Sequence, residues 1–109
     1  MPWLVRDGKV LATIEVATSL RERTRGLLGR DGIEGAILLQ PAKSVHTLRM
    51  QFSIDVAFCD RYGFVLHAVT IRPRRVSRPV WHSYFAIEAP AGSFERWKLQ
   101  PGDVVEVKG

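Results

Sequence analysis

Cysteine is almost absent from this chain: Cys59 is the only one among 109 residues. A single thiol excludes an internal disulfide and any Cys-x-x-Cys redox or zinc motif. Long apolar runs are missing as well. None approaches the roughly 20 residues of a membrane-crossing helix, so no membrane segment is expected. The first residues, Met1 to Gly8, lack the basic-then-apolar layout of a secretion signal, which makes cytoplasmic residence the expectation. There is no Gly-x-Ser-x-Gly elbow and no glycine-rich phosphate loop. Repeats, linkers and low-complexity segments are absent too. No cofactor and no metal ion are therefore expected.

Negative charge is also in deficit. Eleven acids face sixteen basic residues, giving a net charge of +5. That balance favours an anionic partner such as nucleic acid, phosphate or a membrane surface, against the alternative of a generally basic surface with no dedicated partner. The apolar share of 46% and charged share of 25% are those of an ordinary globular chain. Its length suits one domain over residues 1–109.

What is present is mainly β patterning. Between Val45 and Asp60 the even positions Leu48, Met50, Phe52, Ile54, Val56 and Phe58 are apolar, and the odd ones from Thr47 to Asp55 are polar. Such alternation predicts half-buried strand, with the odd face toward water. One strand over the whole stretch would run about 50 Å at roughly 3.3 Å per residue, too long for this chain. A break is expected near Arg49 to Ser53.

Trp3 to Arg6 and Val10 to Val16 flank Asp7-Gly8 and predict a hairpin, with Val10, Ile14 and Val16 on one face. Ser19 and Glu22 have capping-box spacing ahead of a helical stripe of Leu20, Thr24, Leu27 and Leu28 that ends at Gly29. Ala36 to Gln40 reads as a buried strand stopped by Pro41. Ile54 to Cys59 and Phe64 to Arg72 form a second hairpin across Asp60 to Gly63. Tyr84 to Glu88 is a strand, and Ser93 to Leu99 a short helix turning Phe94, Trp97 and Leu99 inward. After a Pro101-Gly102 turn, Val104 to Val107 is the last strand. The fold expected is mostly β with a minor helical part. It is a compact β-sandwich or open small barrel of six to eight short strands with one or two short helices.

In order along the chain, Arg25-Gly26-Leu27-Leu28-Gly29-Arg30, His46-Thr47, Met50, Ile54-Asp55-Val56-Ala57-Phe58, Asp60, Gly63-Phe64-Val65, Ile87-Glu88-Ala89-Pro90-Ala91-Gly92 and Gly102-Asp103-Val104 form a recognisable set. Over residues 10 to 108 it resembles the bacterial and archaeal family catalogued as domain of unknown function 192. The resemblance implies a compact, mostly β fold and no particular activity. Many members carry a Trp-Met pair and a following proline, where this chain has Arg49-Met50 and Ser53. Many also begin with a secretion or lipoprotein signal.

Two groups of residues are candidates for function. His46, Thr47, Met50 and Asp55 sit at the expected break and could bind a ligand. A soft-metal site on His46 and Met50 with Cys59, or an acid–base pair of His46 and Asp55, are the sharper versions. Against them stand a locally bonded histidine, a core methionine and a structural aspartate. Arg72, Arg74, Arg75 and Arg78, followed by Trp81, His82 and Tyr84, join cations to stacking groups, as single-stranded nucleic acid requires. A solvated loop whose aromatics fold inward, or a protein contact, would use the same residues. The sequence best supports a small non-enzymatic β domain binding a partner or ligand. The alternatives are nucleic-acid binding through loop 72–84, and a metal protein or enzyme using His46, Met50 and Asp55.

Overall fold

The computed structural model describes residues 2–17, 35–48 and 50–109. Seven strands, β1 (Trp3–Arg6), β2 (Lys9–Ala17), β3 (Ala36–Leu39), β4 (Ile54–Cys59), β5 (Val65–Ile71), β6 (Phe85–Pro90) and β7 (Glu106–Lys108), build one sheet. A single short helix, α1 (Ser93–Trp97), is seen among the described residues. The strand order is β5-β4-β6-β3-β2-β1-β7. Among the described strands only the β2–β3 pair is parallel. The helix expected from Ser19 to Leu28, with its stop at Gly29, lies outside the described residues.

The first hairpin forms as the sequence predicts. Asp7 and Gly8 take φ of 51° and 78°, the doubly left-handed geometry of a two-residue turn, and Arg6 pairs with Lys9. The register then slips between Leu4 and Val5, so that Leu4 faces Ala12 and Val5 faces Val10. This bulge puts Val10 out of phase with Ile14. Of the expected trio only Ile14 is buried, while Val10 and Val16 are exposed.

The sheet curls until its two edges meet at one corner. Phe64 and Val104, just ahead of β5 and β7, form an antiparallel bridge. Val105 N–H donates to the Gly63 carbonyl and Val65 N–H to that of Asp103, each at 2.9 Å. Elsewhere the edges stay apart, so the architecture is an open barrel.

Two apolar layers result. Inside the curl lie Leu4, Ile14, Leu38, Ala57 and Ile87, closed off by Phe94 and Leu99 from the α1 region. Outside it lie Ile37, Leu39, Ile54, Val56 and Phe58, covered by Val45 and Met50. β4 is buried on both faces as a consequence. The alternation holds through β4, but there its odd face does not meet water. Asp55, Ala57 and Cys59 point into the barrel, and the loop layer covers the even side. Burying an aliphatic side chain fully stabilises by about 1.5–3 kcal/mol, which makes β4 the strand the fold depends on most.

The expected break is also present. Met50 N–H donates to the Thr47 carbonyl at 3.1 Å, a tight turn that ends any strand from Val45. Arg49 itself lies outside the described residues.

Candidate functional site

Thr47 organises the arginine-rich loop that follows β5. It is fully buried, and its backbone N–H donates to the Arg75 carbonyl at 2.8 Å while its own carbonyl accepts from Arg74 N–H at 2.7 Å. The hydroxyl donates to the Arg72 carbonyl at 2.6 Å and accepts from Arg75 N–H at 2.9 Å. On either side, Ser77 N–H donates to the Val45 carbonyl, Val45 N–H donates to the Ser77 hydroxyl, and His46 bridges Val76. A run rich in arginine repels itself and has no apolar reason to order. Here a strip of three residues holds it in one shape.

Thr47→Val keeps the volume and removes both hydroxyl bonds. Leaving a partly buried N–H and C=O unpaired costs about 1–3 kcal/mol, read as a lower midpoint of urea unfolding and faster amide exchange at Arg75. Unchanged exchange at Arg75 would mean the hydroxyl does not hold the loop.

The ordered loop stands over the outer face of β5, leaving a groove of about 600 Å³ open to solvent. Its floor comes mainly from alternate residues of β5, His67, Val69 and Ile71, with Thr70 at its edge and Phe58 of β4 and Val80 beside them. Phe58 pairs with His67 across the ladder, and the two rings stack at 6.4 Å. Its rim carries Arg72, Arg75 and Arg78. No acid lines it, and no ion pair with a described residue neutralises these three arginines. Arg75 donates one guanidinium bond to the Arg74 carbonyl at 3.3 Å.

The sequence candidates therefore separate. Arg72, Arg75 and Arg78 gather at the groove, and Thr47 stands behind them. Arg74, at φ 63°, does not line it. Trp81 is 72% exposed and lies just past the groove. His46 keeps to its own turn, its Nδ1 accepting from Leu48 N–H at 3.4 Å. Met50 is packed in the outer apolar layer, and Cys59 in the inner one.

Asp55 is buried and fully engaged. Its Oδ1 accepts from the Thr70 hydroxyl at 2.7 Å, and its Oδ2 accepts from Gly92 N–H and Phe94 N–H at 3.0 Å each. The carboxylate thus ties β4 to β5 and holds the start of α1. No cluster of three or more His, Cys, Asp or Glu able to hold a metal ion occurs among the described residues.

Burial, reinforced by the Asp60 carboxylate, pushes the Cys59 thiol up to about 12 from its ordinary 9.0. A nucleophile needs the thiolate, so this thiol is inert when folded. Native protein at pH 8 is expected to resist iodoacetamide and to label only on unfolding. The unfolded chain ionises above pH 9.0 and the folded chain does not until about 12. The thiol's contribution to stability is thus complete below pH 9 and is lost as pH rises toward 12. Rapid labelling of native protein at pH 8 would contradict this.

The floor of the groove was not foreseen. The alternation of His67, Val69 and Ile71 against Leu66, Ala68 and Thr70 is visible in the sequence, but nothing there says a basic loop folds over it.

A family model described as "Uncharacterized ACR", domain of unknown function 192, matches residues 3–107. Two proteins named UPF0127 are similar. The one from Pyrococcus abyssi is 31% identical over 105 residues, covering 92% of this chain and 86% of that protein. The one from Pyrococcus horikoshii is 29% identical over 111 residues, covering 94% and 96%. Among solved structures, a Sinorhizobium meliloti protein described as a proposed transcription regulator superposes with a TM-score of 0.81 at 20% identity, covering 97% of this chain and 91% of that one. A Novosphingobium aromaticivorans protein of unknown function superposes with the same score at 17% identity, covering 96% and 82%. At these identities the likeness shows the shared fold. No helix among the described residues is long and apolar enough to cross a membrane.

Proposed function

The chain belongs to the family described as domain of unknown function 192, and from its own geometry we propose a small binding domain that holds an anionic ligand in the groove between loop 72–80 and β5. One observation carries this reading. Three arginines without described ion-pair partners stand over an apolar floor that no carboxylate lines. Cations beside low-dielectric walls attract an anion more strongly than the same cations in open water. The volume of about 600 Å³ falls in the range of small-ligand sites. Binding is favoured over catalysis because the reactive groups are otherwise employed: Asp55 accepts three hydrogen bonds, Met50 packs in the core, and the Cys59 thiol is held protonated.

The test uses 8-anilinonaphthalene-1-sulfonate, an anionic dye that brightens in apolar surroundings. Saturable binding is expected. A charge-assisted hydrogen bond is worth about 1.5–3 kcal/mol, so Arg72→Ala/Arg78→Ala should weaken it roughly tenfold or more. Both substitutions are on exposed side chains, and an unchanged melting temperature confirms that the variant is folded. Equal affinity in the variant would end the reading.

Single-stranded nucleic acid is the second reading, favoured by Trp81 standing 72% exposed next to the cationic loop. A labelled oligonucleotide should then bind with strong salt dependence, and no binding near about 50 mM salt would remove it.

A further inference from the structure

The shape and lining of the groove narrow the ligand class. The floor residues His67, Val69 and Ile71 are consecutive same-face positions of β5, so the floor is a straight track of roughly 13 Å at about 3.3 Å per residue. Val69, Val80, Pro79 and the edge of the buried Ile71 supply aliphatic surface along it, beside the exposed His67 and Thr70. The arginines stand on one wall, in the loop that leaves the strand at Ile71. A ligand matching this arrangement is long and apolar, with its anionic head near the loop.

We infer that the groove takes an alkyl carboxylate, an unbranched aliphatic chain ending in one carboxylate. The inference rests on the proposed anion-binding groove and adds the chemistry of the occupant. Inorganic phosphate would satisfy the arginines and leave the aliphatic floor in water. A neutral alkyl chain would cover the floor and leave the guanidinium groups without an anion. A polynucleotide needs aromatic faces on which to stack, and of the two rings at the floor Phe58 is fully buried and His67 has one face on Phe58. A carboxylate is a planar two-oxygen acceptor that one guanidinium can grip with two parallel bonds, and an alkyl chain lies flat along a strand. Thr47 is a positioning residue in this scheme. It never meets the ligand, but its hydroxyl fixes the backbone from which Arg72 and Arg75 project.

The experiment is displacement of bound anilinonaphthalene sulfonate by four competitors: decanoate, decanol, inorganic phosphate and a single-stranded oligonucleotide. Decanoate is expected to displace the dye at least tenfold more effectively than decanol. That margin should vanish in Arg72→Ala/Arg78→Ala, whose melting temperature reports its folding. Phosphate and the oligonucleotide are expected to be weak. Decanoate and decanol competing equally would overturn the inference, because the head group would then contribute nothing. An oligonucleotide that displaces the dye where decanoate does not would also overturn it, while leaving an anion-binding groove in place. Dye binding that ignores the arginines defeats the groove itself, and the two failures are thereby told apart.

Discussion

Gly63→Ala is expected to lower the melting temperature by more than about 10 °C, corresponding to roughly 3–5 kcal/mol in a chain of this size. Two effects combine at this position. Gly63 has φ 89°, a backbone region where a Cβ costs about 1–2 kcal/mol. A Cβ there would also run into the carbonyl oxygen of Val105. That oxygen is backbone, and it belongs to the segment whose N–H donates to Gly63 in return. Relief requires the two edges of the barrel to separate at their bridge, with loss of about 1 kcal/mol per hydrogen bond given up. Gly102→Ala is the control. Its φ of 97° is equally left-handed, but nothing lies within 4 Å of the added carbon. It should show only the conformational part, about 1–2 kcal/mol. Equal losses at the two glycines would mean that the corner does not hold the barrel.

Asp55→Ala comes next in size. The carboxylate satisfies a hydroxyl and two backbone N–H groups while 3% exposed. Removing it leaves those donors facing a space no polar atom fills, at about 1–3 kcal/mol for each that water cannot reach. A total of roughly 3–5 kcal/mol is expected from chemical denaturation, with early amide exchange at Gly92 and Phe94. Asp55→Asn separates bonding from bulk. Its one oxygen can still accept from both N–H groups, and its amide can donate to the Thr70 hydroxyl. Most of the stability should return. If Asp55→Asn is as damaging as Asp55→Ala, the account of Asp55 as a hydrogen-bonding anchor for α1 is wrong.

These two residues show what the sequence disclosed and what it withheld. Asp60 to Gly63 was readable as a hairpin turn, because glycine after a turn-forming acid is a local signal. That Gly63 must be glycine for a second reason, its approach to Val105 forty-two positions away, is tertiary and left no mark on the pattern. Asp55 stood out as an acid in a strand. Its bonding to Gly92 and Phe94 depends on β6 running beside β4, which no local preference records. The strands around Ile54, Val65 and Phe85 followed from alternation and turns. Burial of β4 on both faces did not, because the loop layer over its even side is assembled from irregular segments. The same cause hid the groove. Its arginines were conspicuous, while its floor became a floor only once Thr47 drew loop 72–77 across β5.

The central claim is that the space between this loop and β5 is where the ligand sits, and amide mapping by two-dimensional NMR addresses it most directly. On titration with anilinonaphthalene sulfonate, the largest shift changes should fall on His67 to Val80, with Thr47 following through its bonds to the loop. Changes should be small at α1 and at Glu106–Lys108, on elements that do not line the groove. Largest changes on those elements, or no localised change at saturating dye, would contradict the account.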